Sequence, residues 1–179
     1  MKDTSAYILN EVKTAIEKVD DSKVDEIVDA MVAAKTIFIY GVGRSGLVGK
    51  SFAVRLVQMG LDVHFVGDMT TPIVESDDLV IIISNTGETM SAVQTANIVR
   101  RIGAKVVGVT SVAHSKLGSA SNIILEITPC RDEQRKKYAP LGTLFEVATL
   151  IMVDSLVPML MARLNQNEGS LRRRHAIWV

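Results

Sequence analysis

Five short, almost wholly apolar runs alternate with helical segments through the middle of this chain. Apolar residues recur at helical spacing in the segments 45–59 and 89–102, which connect runs of the kind that form strands. Continuous apolar runs are typical of strands that are covered on both faces, as in a parallel sheet. The alternation therefore predicts an α/β fold, a doubly wound five-stranded parallel sheet flanked by helices. The five predicted strands are 36–40, 63–66, 79–84, 105–110 and 123–127.

The segments on either side of the sheet complete a chain of 179 residues, a length that suits one domain with a sizeable core. Two extra helices are predicted at the N-terminus, the second with a cap at Ser22. Apolar positions cover most of the circumference of a long helix near the C-terminus, so we expect subunit contacts there. The predicted parts are N-terminal helices (1–34), an α/β core (35–128), the long helix (142–164) and a tail (165–179).

Charge and composition exclude several classes of partner. The 20 basic residues balance 20 acidic ones, so there is no electrostatic case for binding nucleic acid or an anionic membrane. The N-terminus lacks the apolar core of a signal peptide, and charged residues interrupt the apolar segment 144–164. We therefore expect a cytoplasmic protein without a membrane span.

Few of the remaining polar residues are expected to carry chemistry on their own. Cys130 is the single cysteine, which excludes an internal disulfide, and we expect an unreactive thiol. His64 is expected to be a core histidine, and the three histidines lack the spacing of metal ligands. The basic residues of the predicted loop 129–140 are expected to be solvated: Arg131, Arg135, Lys136 and Lys137.

Two loops rich in glycine and hydroxyl groups follow the first and third predicted strands. Residues 41–46 read Gly-Val-Gly-Arg-Ser-Gly, and residues 84–89 read Ser-Asn-Thr-Gly-Glu-Thr. In the common strand order 2-1-3-4-5, the switch point lies between strands one and three, where ligands bind in open α/β sheets. We therefore expect both loops to converge on one site.

The composition of these loops predicts a phosphorylated ligand. Small residues let the backbone approach an anion, and the following helix start supplies free N–H groups. Capping by Thr86 or Thr89 would explain one hydroxyl of the second loop but not three. Glu88 could contact hydroxyl groups of the ligand or merely favour the helix start. The candidate binding residues are Gly43, Arg44, Ser45, Ser84, Asn85, Thr86, Glu88 and Thr89.

The first loop also matches the Gly-x-Gly-x-x-Gly pattern of dinucleotide-binding domains, a weak signal by itself. Asp68 stands where such a domain needs an acid. The chain is short for a cofactor domain plus a substrate domain, and Arg44 and Ser45 would crowd a pyrophosphate. A phosphorylated ligand other than a dinucleotide is therefore favoured.

The two loops together resemble those of the sugar isomerase (SIS) family. Within it, four segments resemble the 6-phospho-3-hexuloisomerases, and the similarity runs from about residue 9 to residue 176. Thr86 stands where a serine is usual, which keeps the hydroxyl, and the last three residues, Ile177, Trp178 and Val179, replace a more polar, acidic end. The four segments are 43–46, 68–72, 140–146 and 174–176.

This resemblance implies interconversion of a 3-hexulose 6-phosphate and fructose 6-phosphate without a metal or an organic cofactor. It also implies a homotetramer with active sites between subunits. The step would follow the addition of formaldehyde to ribulose 5-phosphate, as in the ribulose monophosphate pathway, or run backwards to make pentose phosphate. Two other possibilities stay open: a SIS aldose–ketose isomerase, and a sugar-phosphate sensor that binds without turnover.

Moving a carbonyl between C3 and C2 requires a group that removes an α-proton and returns it to the neighbouring carbon. The resemblance makes Glu146 the candidate base, although Thr143 and Glu146 also have the spacing of a capping box. His175 is the candidate partner, as proton shuttle or oxyanion donor, acting in a neighbouring subunit's site. Without the resemblance, His175 would be interpreted as part of a solvated basic tail.

Overall fold

A five-stranded, all-parallel sheet in the order β2-β1-β3-β4-β5 forms the centre of the computed structural model. The order and the direction of the strands confirm the predicted doubly wound α/β fold. The structure describes residues 1–175, so the tail residues 176–179 lie outside the described part. The strands are β1 (Ile37–Gly41), β2 (Val63–Phe65), β3 (Leu79–Ile83), β4 (Lys105–Thr110) and β5 (Ile123–Glu126).

Helices cover both faces of the sheet. One face packs on α4 and α5 through residues such as Phe38 and Val80, and the alternate residues Ile37 and Ile39 join the larger core on the other face. This alternation follows from the two-residue period of a strand. The helices are α1 (Lys2–Ile16), α2 (Asp21–Ala33), α3 (Arg44–Gln58), α4 (Met90–Ile102), α5 (Lys116–Ala120), α6 (Glu133–Tyr138), α7 (Thr143–Arg163) and α8 (Glu168–Arg173).

The N-terminal helices cover α7 within the same chain. Helix α7 contacts α1, α2 and α3, which explains much of an apolar circumference that the sequence attributed to subunit contacts. Its residues Phe145, Met152 and Leu156 lie in the core. By length and composition alone α7 could cross a membrane, contrary to the sequence argument, but half of its apolar window is buried inside the fold.

Two local predictions are wrong. The cap of α2 is Asp20 rather than Ser22, because the Asp20 carboxylate accepts the backbone N–H of Ser22 at 2.9 Å. The predicted loop 129–140 contains α6, whose cap, Asp132, accepts the backbone N–H of Arg135 at 2.8 Å.

Helix α6 changes the environment of one basic residue that the sequence left in solvent. Arg135 is half-buried, and its Nη1 donates to the carbonyl oxygen of Leu141 at 2.6 Å. Arg131, Lys136 and Lys137 are exposed, as expected. The position of Arg135 therefore depends on the turn that precedes α7.

Candidate active site

The two hydroxyl-rich loops meet at the carboxyl edge of the sheet, as predicted. Strands β1 and β3 are neighbours, with Gly41 opposite Ile83 at their ends, so the loops that follow them are adjacent. Between them lies a cavity of about 140 Å³. We call it the phosphate cavity after its predicted ligand. Five of the eight predicted binding residues line it, namely Ser45, Ser84, Asn85, Thr86 and Thr89.

Hydroxyl groups of the second loop face one another across the start of α4. Ser84 Oγ donates to Thr89 Oγ1 at 3.2 Å, and Thr86 Oγ1 accepts the backbone N–H of Glu88 at 3.2 Å. Thr89 is the residue that precedes α4, but its side chain makes no capping bond. The first N–H groups of α4 therefore have no side-chain cap, and such groups bind anions.

The second loop is held in place by residues that the sequence analysis missed. The carbonyl oxygen of Asn85 accepts from Ser111 Oγ at 2.8 Å and from Thr110 Oγ1 at 3.1 Å. Gly87 has a φ of +66° and packs so closely on Ser115 that any side chain there would overlap it. The run of hydroxyl residues after β4 was the available sequence signal for this support.

The first loop places Arg44 and Ser45 at the start of α3. Gly43 precedes the helix with a φ of +60°, a conformation that favours glycine. Ser45 is buried against the phosphate cavity, whereas the Arg44 side chain is exposed. Arg44 Nε donates to Glu146 Oε2, so this loop connects the phosphate cavity to the candidate base.

Glu146 lies in the first turn of α7, and its side chain is only 12% exposed. The capping box is not formed, because the residue before α7 is Gly142 and the hydroxyl of Thr143 donates to the carbonyl of Pro140 at 2.7 Å. A Cβ atom at Gly142 would lie 2.8 Å from Glu146 Oε1 and 3.3 Å from Asn85 Nδ2. The carboxylate and the Asn85 amide therefore flank Gly142 closely.

A larger cavity, of about 350 Å³, adjoins the phosphate cavity. The two share Asn85 and Thr86 as lining residues. Its volume lies within the range of small-molecule sites. We call it the sugar cavity; its other lining residues are Ser111, Val112, Pro129, Cys130, Arg131, Arg135, Leu141, Gly142, Leu144 and Phe145.

Glu88, which was predicted to contact the ligand, is engaged elsewhere. Its carboxylate pairs with Lys116 Nζ at 2.8 Å and accepts the Lys116 backbone N–H at 3.1 Å. The hydrogen bond from the Lys116 side chain lowers the pKa of Glu88 below its ordinary value. In this arrangement Glu88 joins the second hydroxyl-rich loop to the start of α5.

His175 and Glu146 line different cavities of the chain. Glu146 and Arg44 line a cavity of about 170 Å³ between α3 and α7. His175 follows α8, and the neighbouring Arg174 Nη1 donates to the carbonyl oxygen of Gln58 at 3.3 Å, which holds this part of the chain against α3. His175 lines an open cavity of about 460 Å³ along α3, together with Lys50. The structure therefore does not bring the two predicted catalytic residues together within one subunit.

Two other polar residues considered in the sequence analysis, His64 and Asp68, have structural partners. His64 Nε2 lies 3.2 Å from Asp62 Oδ1, and its ring stacks on Phe38 at 5.7 Å. Asp68, the acid a dinucleotide site would need, pairs with Lys50. Burial raises the pKa of the Cys130 thiol. Among residues 1–175, no three His, Cys, Asp or Glu side chains are grouped to hold a metal ion.

The sequence model of the SIS domain matches residues 30–159, which is most of the chain. This chain belongs to the SIS family. The match includes both loops of the phosphate cavity and the part of α7 that carries Glu146.

Named relatives are similar over most of the length of this SIS domain. The 3-hexulose-6-phosphate isomerase of Methanocaldococcus jannaschii is 37% identical, and the match covers 86% of this chain and 83% of the relative. The 3-hexulose-6-phosphate isomerase of Bacillus subtilis is 34% identical, with coverage of 96% and 95%. This chain is therefore a SIS domain of the sugar-phosphate isomerase type.

A solved structure supports the same relationship. The crystal structure of a Methanococcus jannaschii protein, whose function was inferred to be that of a 3-hexulose-6-phosphate isomerase, superposes with a TM-score of 0.85 at 32% identity. The match covers 96% of this chain and 98% of that protein. The resemblance stated from the sequence is thus confirmed at the level of family and fold.

Proposed function

We propose that this SIS domain interconverts 3-hexulose 6-phosphate and fructose 6-phosphate through a C2–C3 enediolate. The observation that carries the proposal is the position of Glu146, whose carboxylate flanks Gly142 beside Asn85 and so lies next to the phosphate cavity. The named isomerases that are 34–37% identical support the choice of substrate.

In the direction from fructose 6-phosphate, the Glu146 carboxylate removes the proton from C3, and the electron pair forms the C2–C3 double bond of the enediolate. The same carboxyl group returns a proton to C2, and a proton moves from the oxygen on C3 to the oxygen on C2. The result is a carbonyl at C3 with no net gain or loss of electrons. One carboxylate over the face of the enediolate can perform both transfers.

The phosphate cavity holds the substrate in register for this transfer. Ser84, Thr86 and Thr89 supply hydroxyl donors, and the N-terminus of α4 supplies backbone N–H groups. Arg44 holds the Glu146 carboxylate through its Nε. The remaining donors of the guanidinium can contact an oxygen of the sugar phosphate.

His175 is proposed to complete the site from a neighbouring subunit of a homotetramer. Within one chain it lines the cavity along α3, away from the cavity lined by Arg44 and Glu146. The outer face of α3 exposes Leu47, Val54 and Val57, an apolar stripe suited to a subunit contact. A second copy of the chain docked on this stripe would lie close to the cavity lined by His175 and to the cavity lined by Arg44 and Glu146.

The proposed substrate gives the enzyme a place in cytoplasmic sugar-phosphate metabolism. The reaction would consume the product of formaldehyde addition to ribulose 5-phosphate, or it would run in reverse to supply pentose phosphate. The direction depends on the concentrations of the two sugar phosphates and not on the site.

The test is proton NMR of fructose 6-phosphate with the purified protein in D₂O. Formation of a 3-ketose, with deuterium entering only at C3 of the remaining fructose 6-phosphate, is the expected result. Exchange at C1 would instead show an aldose–ketose isomerase. Binding of fructose 6-phosphate without product or exchange would favour a sensor. The Glu146→Gln variant serves as the matched control, because it keeps the size of the side chain and loses the base.

A further inference from the structure

The sugar cavity is positively charged. Its lining residues include Arg131 and Arg135 but no aspartate or glutamate. The two arginines lie on and just before α6, whereas the phosphate cavity is formed by the loops after β1 and β3. The ligand space therefore has one anion-binding region at the phosphate cavity and a second cationic region in the adjoining sugar cavity.

Both arginines have hydrogen-bonding capacity that the fold does not use. Arg135 Nη1 donates to Leu141, but its Nε is buried without a hydrogen-bond partner. Arg131 has no side-chain hydrogen bond or ion pair within the described residues 1–175. A buried guanidinium N–H without a partner is costly, so a ligand oxygen that accepts it would be stabilising.

The acidic groups near this region already have partners. Asp132 accepts from the Tyr7 hydroxyl at 2.8 Å and from the backbone N–H of Arg135. Glu146 is bonded to Arg44, with which it lines a separate cavity. Neither arginine forms a salt bridge within residues 1–175, so both guanidinium groups are available to a ligand.

We propose that Arg131 and Arg135 form a second anion subsite, which binds sugar phosphates that carry another anionic group at the end opposite the phosphate. Such ligands are hexose bisphosphates and phosphorylated sugar acids, and they would compete with the substrate. The proposal rests on the proposed function for the position of the first phosphate. A hexulose monophosphate places only an uncharged hydroxymethyl group at that end, so the second charge distinguishes the two classes of ligand.

Isothermal titration calorimetry with the full-length protein tests the subsite. The dissociation constants of fructose 6-phosphate, fructose 1,6-bisphosphate and 6-phosphogluconate are compared. We expect the bisphosphate, the sugar acid or both to bind about tenfold or more tightly than fructose 6-phosphate, since a charge-assisted hydrogen bond contributes that much. Comparison of fructose 1,6-bisphosphate with 6-phosphogluconate shows whether the subsite prefers a phosphate or a carboxylate as the second group.

Substitutions test whether the two arginines cause the preference for a second anionic group. The preference is the ratio of the dissociation constant of fructose 6-phosphate to that of the tighter-binding of the other two ligands. Arg131→Gln should reduce this ratio several-fold, and Arg131→Lys should retain part of it. Lys136→Gln, on the outside of α6, should leave it unchanged. Arg135→Gln should reduce the ratio as well, but it also removes the bond to Leu141, so Arg131 is the cleaner test.

Two results would overturn the subsite. One is that fructose 6-phosphate binds and is turned over while neither fructose 1,6-bisphosphate nor 6-phosphogluconate binds more tightly. The other is an unchanged ratio in Arg131→Gln. The first result leaves the proposed function intact. If none of the three ligands binds, both the subsite and the proposed function fail.

Discussion

Arg44 at the start of α3 donates from its Nε to the Glu146 carboxylate in the first turn of α7. The ion pair joins a residue of the phosphate-loop segment to the candidate base across 102 positions of sequence. Because the Glu146 side chain is 12% exposed and that of Arg44 is 65% exposed, the carboxylate is held from the solvent side. The pair therefore fixes the orientation of the carboxylate beside the phosphate cavity.

Replacing the base while keeping its shape should abolish most of the turnover. Glu146→Gln retains an oxygen that can accept from Arg44, so we expect the melting temperature to change little. The loss of a general base should lower kcat by about 10²- to 10⁴-fold. Steady-state kinetics with fructose 6-phosphate and thermal unfolding of the same preparation measure both quantities.

Glu133→Gln is the matched control, because Glu133 makes only a surface ion pair with Lys136. It should retain the kcat and the melting temperature of the wild type. Near-native turnover by Glu146→Gln would exclude Glu146 as the base.

Gly142 tests how closely the carboxylate must be placed. Its φ of −90° and ψ of 8° are accessible to alanine, so the backbone should tolerate Gly142→Ala. The new Cβ would come within 2.8 Å of Glu146 Oε1 and 3.3 Å of Asn85 Nδ2, so these groups must move. A misplacement of a catalytic group by about 1 Å can cost about 100-fold in rate. We therefore expect kcat to fall by up to about that factor while the melting temperature changes little.

Thr143→Ala provides the comparison in the same turn. It removes the hydrogen bond from Thr143 to Pro140 without adding an atom next to Glu146. It should lower the melting temperature slightly and kcat much less than Gly142→Ala does. Equal losses of kcat in both variants would show that the turn, and not the position of the carboxylate, is responsible.

The sequence was sufficient for the fold and for the meeting of the two hydroxyl-rich loops, because both depend on local patterns. Apolar runs define the strands, and the loops after the first and third strands must meet at the switch point. The α6 helix was missed because its six residues bury none of their side chains, so no apolar period marks it. The role of Arg135 was missed because its partner is the backbone carbonyl of Leu141, which only the folded turn brings within reach.

The separation of His175 from Glu146 was also beyond what sequence patterns can give. It depends on where α8 docks, and that is set by contacts such as Arg174 with Gln58. The proposed meeting of the two side chains needs a second copy of the chain. Neither a spacing nor a period in the sequence contains that information.

The hydroxyl groups of the phosphate cavity should contribute mainly to affinity. Thr89→Val keeps the shape of the side chain and removes the hydroxyl that accepts from Ser84. We expect the dissociation constant of fructose 6-phosphate to rise about tenfold, the effect of one hydrogen bond to a charged group. Calorimetric titration of the variant measures this change.

Thr95→Val on the same helix is the control, because its hydroxyl donates only to the carbonyl of Ser91 at 2.9 Å. It should leave the dissociation constant unchanged. Unaltered affinity in Thr89→Val would remove that hydroxyl from the phosphate site.

Cys130 should react slowly in the folded protein. Burial raises the pKa of its thiol, so a smaller fraction is thiolate at any pH below that value. We expect iodoacetamide to alkylate Cys130 several-fold more slowly at pH 8 in the native protein than in urea. The rate should rise with pH around a midpoint above that of the unfolded chain.

Mass spectrometry after timed quenching gives both alkylation rates from one preparation. Because Cys130 also lines the sugar cavity, fructose 6-phosphate should slow the native reaction further. Equal rates in the native and the unfolded protein would contradict the raised pKa.

Two inactive variants should regain activity when they are combined in one oligomer, if the active site is shared between subunits. Glu146→Gln and His175→Ala are each expected to be nearly inactive. In a mixed oligomer, one of the two sites at a shared interface would receive both Glu146 and His175 intact. Random pairing of equal amounts would then restore about a quarter of the wild-type activity.

Co-expression of the two variants with different affinity tags, followed by purification on both tags, isolates the mixed oligomers. Oligomers in which every chain carries the same substitution are the control, and they should stay inactive. Active mixed oligomers require a site to which two chains contribute, because neither chain carries both intact residues. If both variants are inactive alone and the mixed oligomers are inactive too, the two residues must act from the same subunit. That result would require α8 to move, because in this structure His175 and Glu146 line separate cavities.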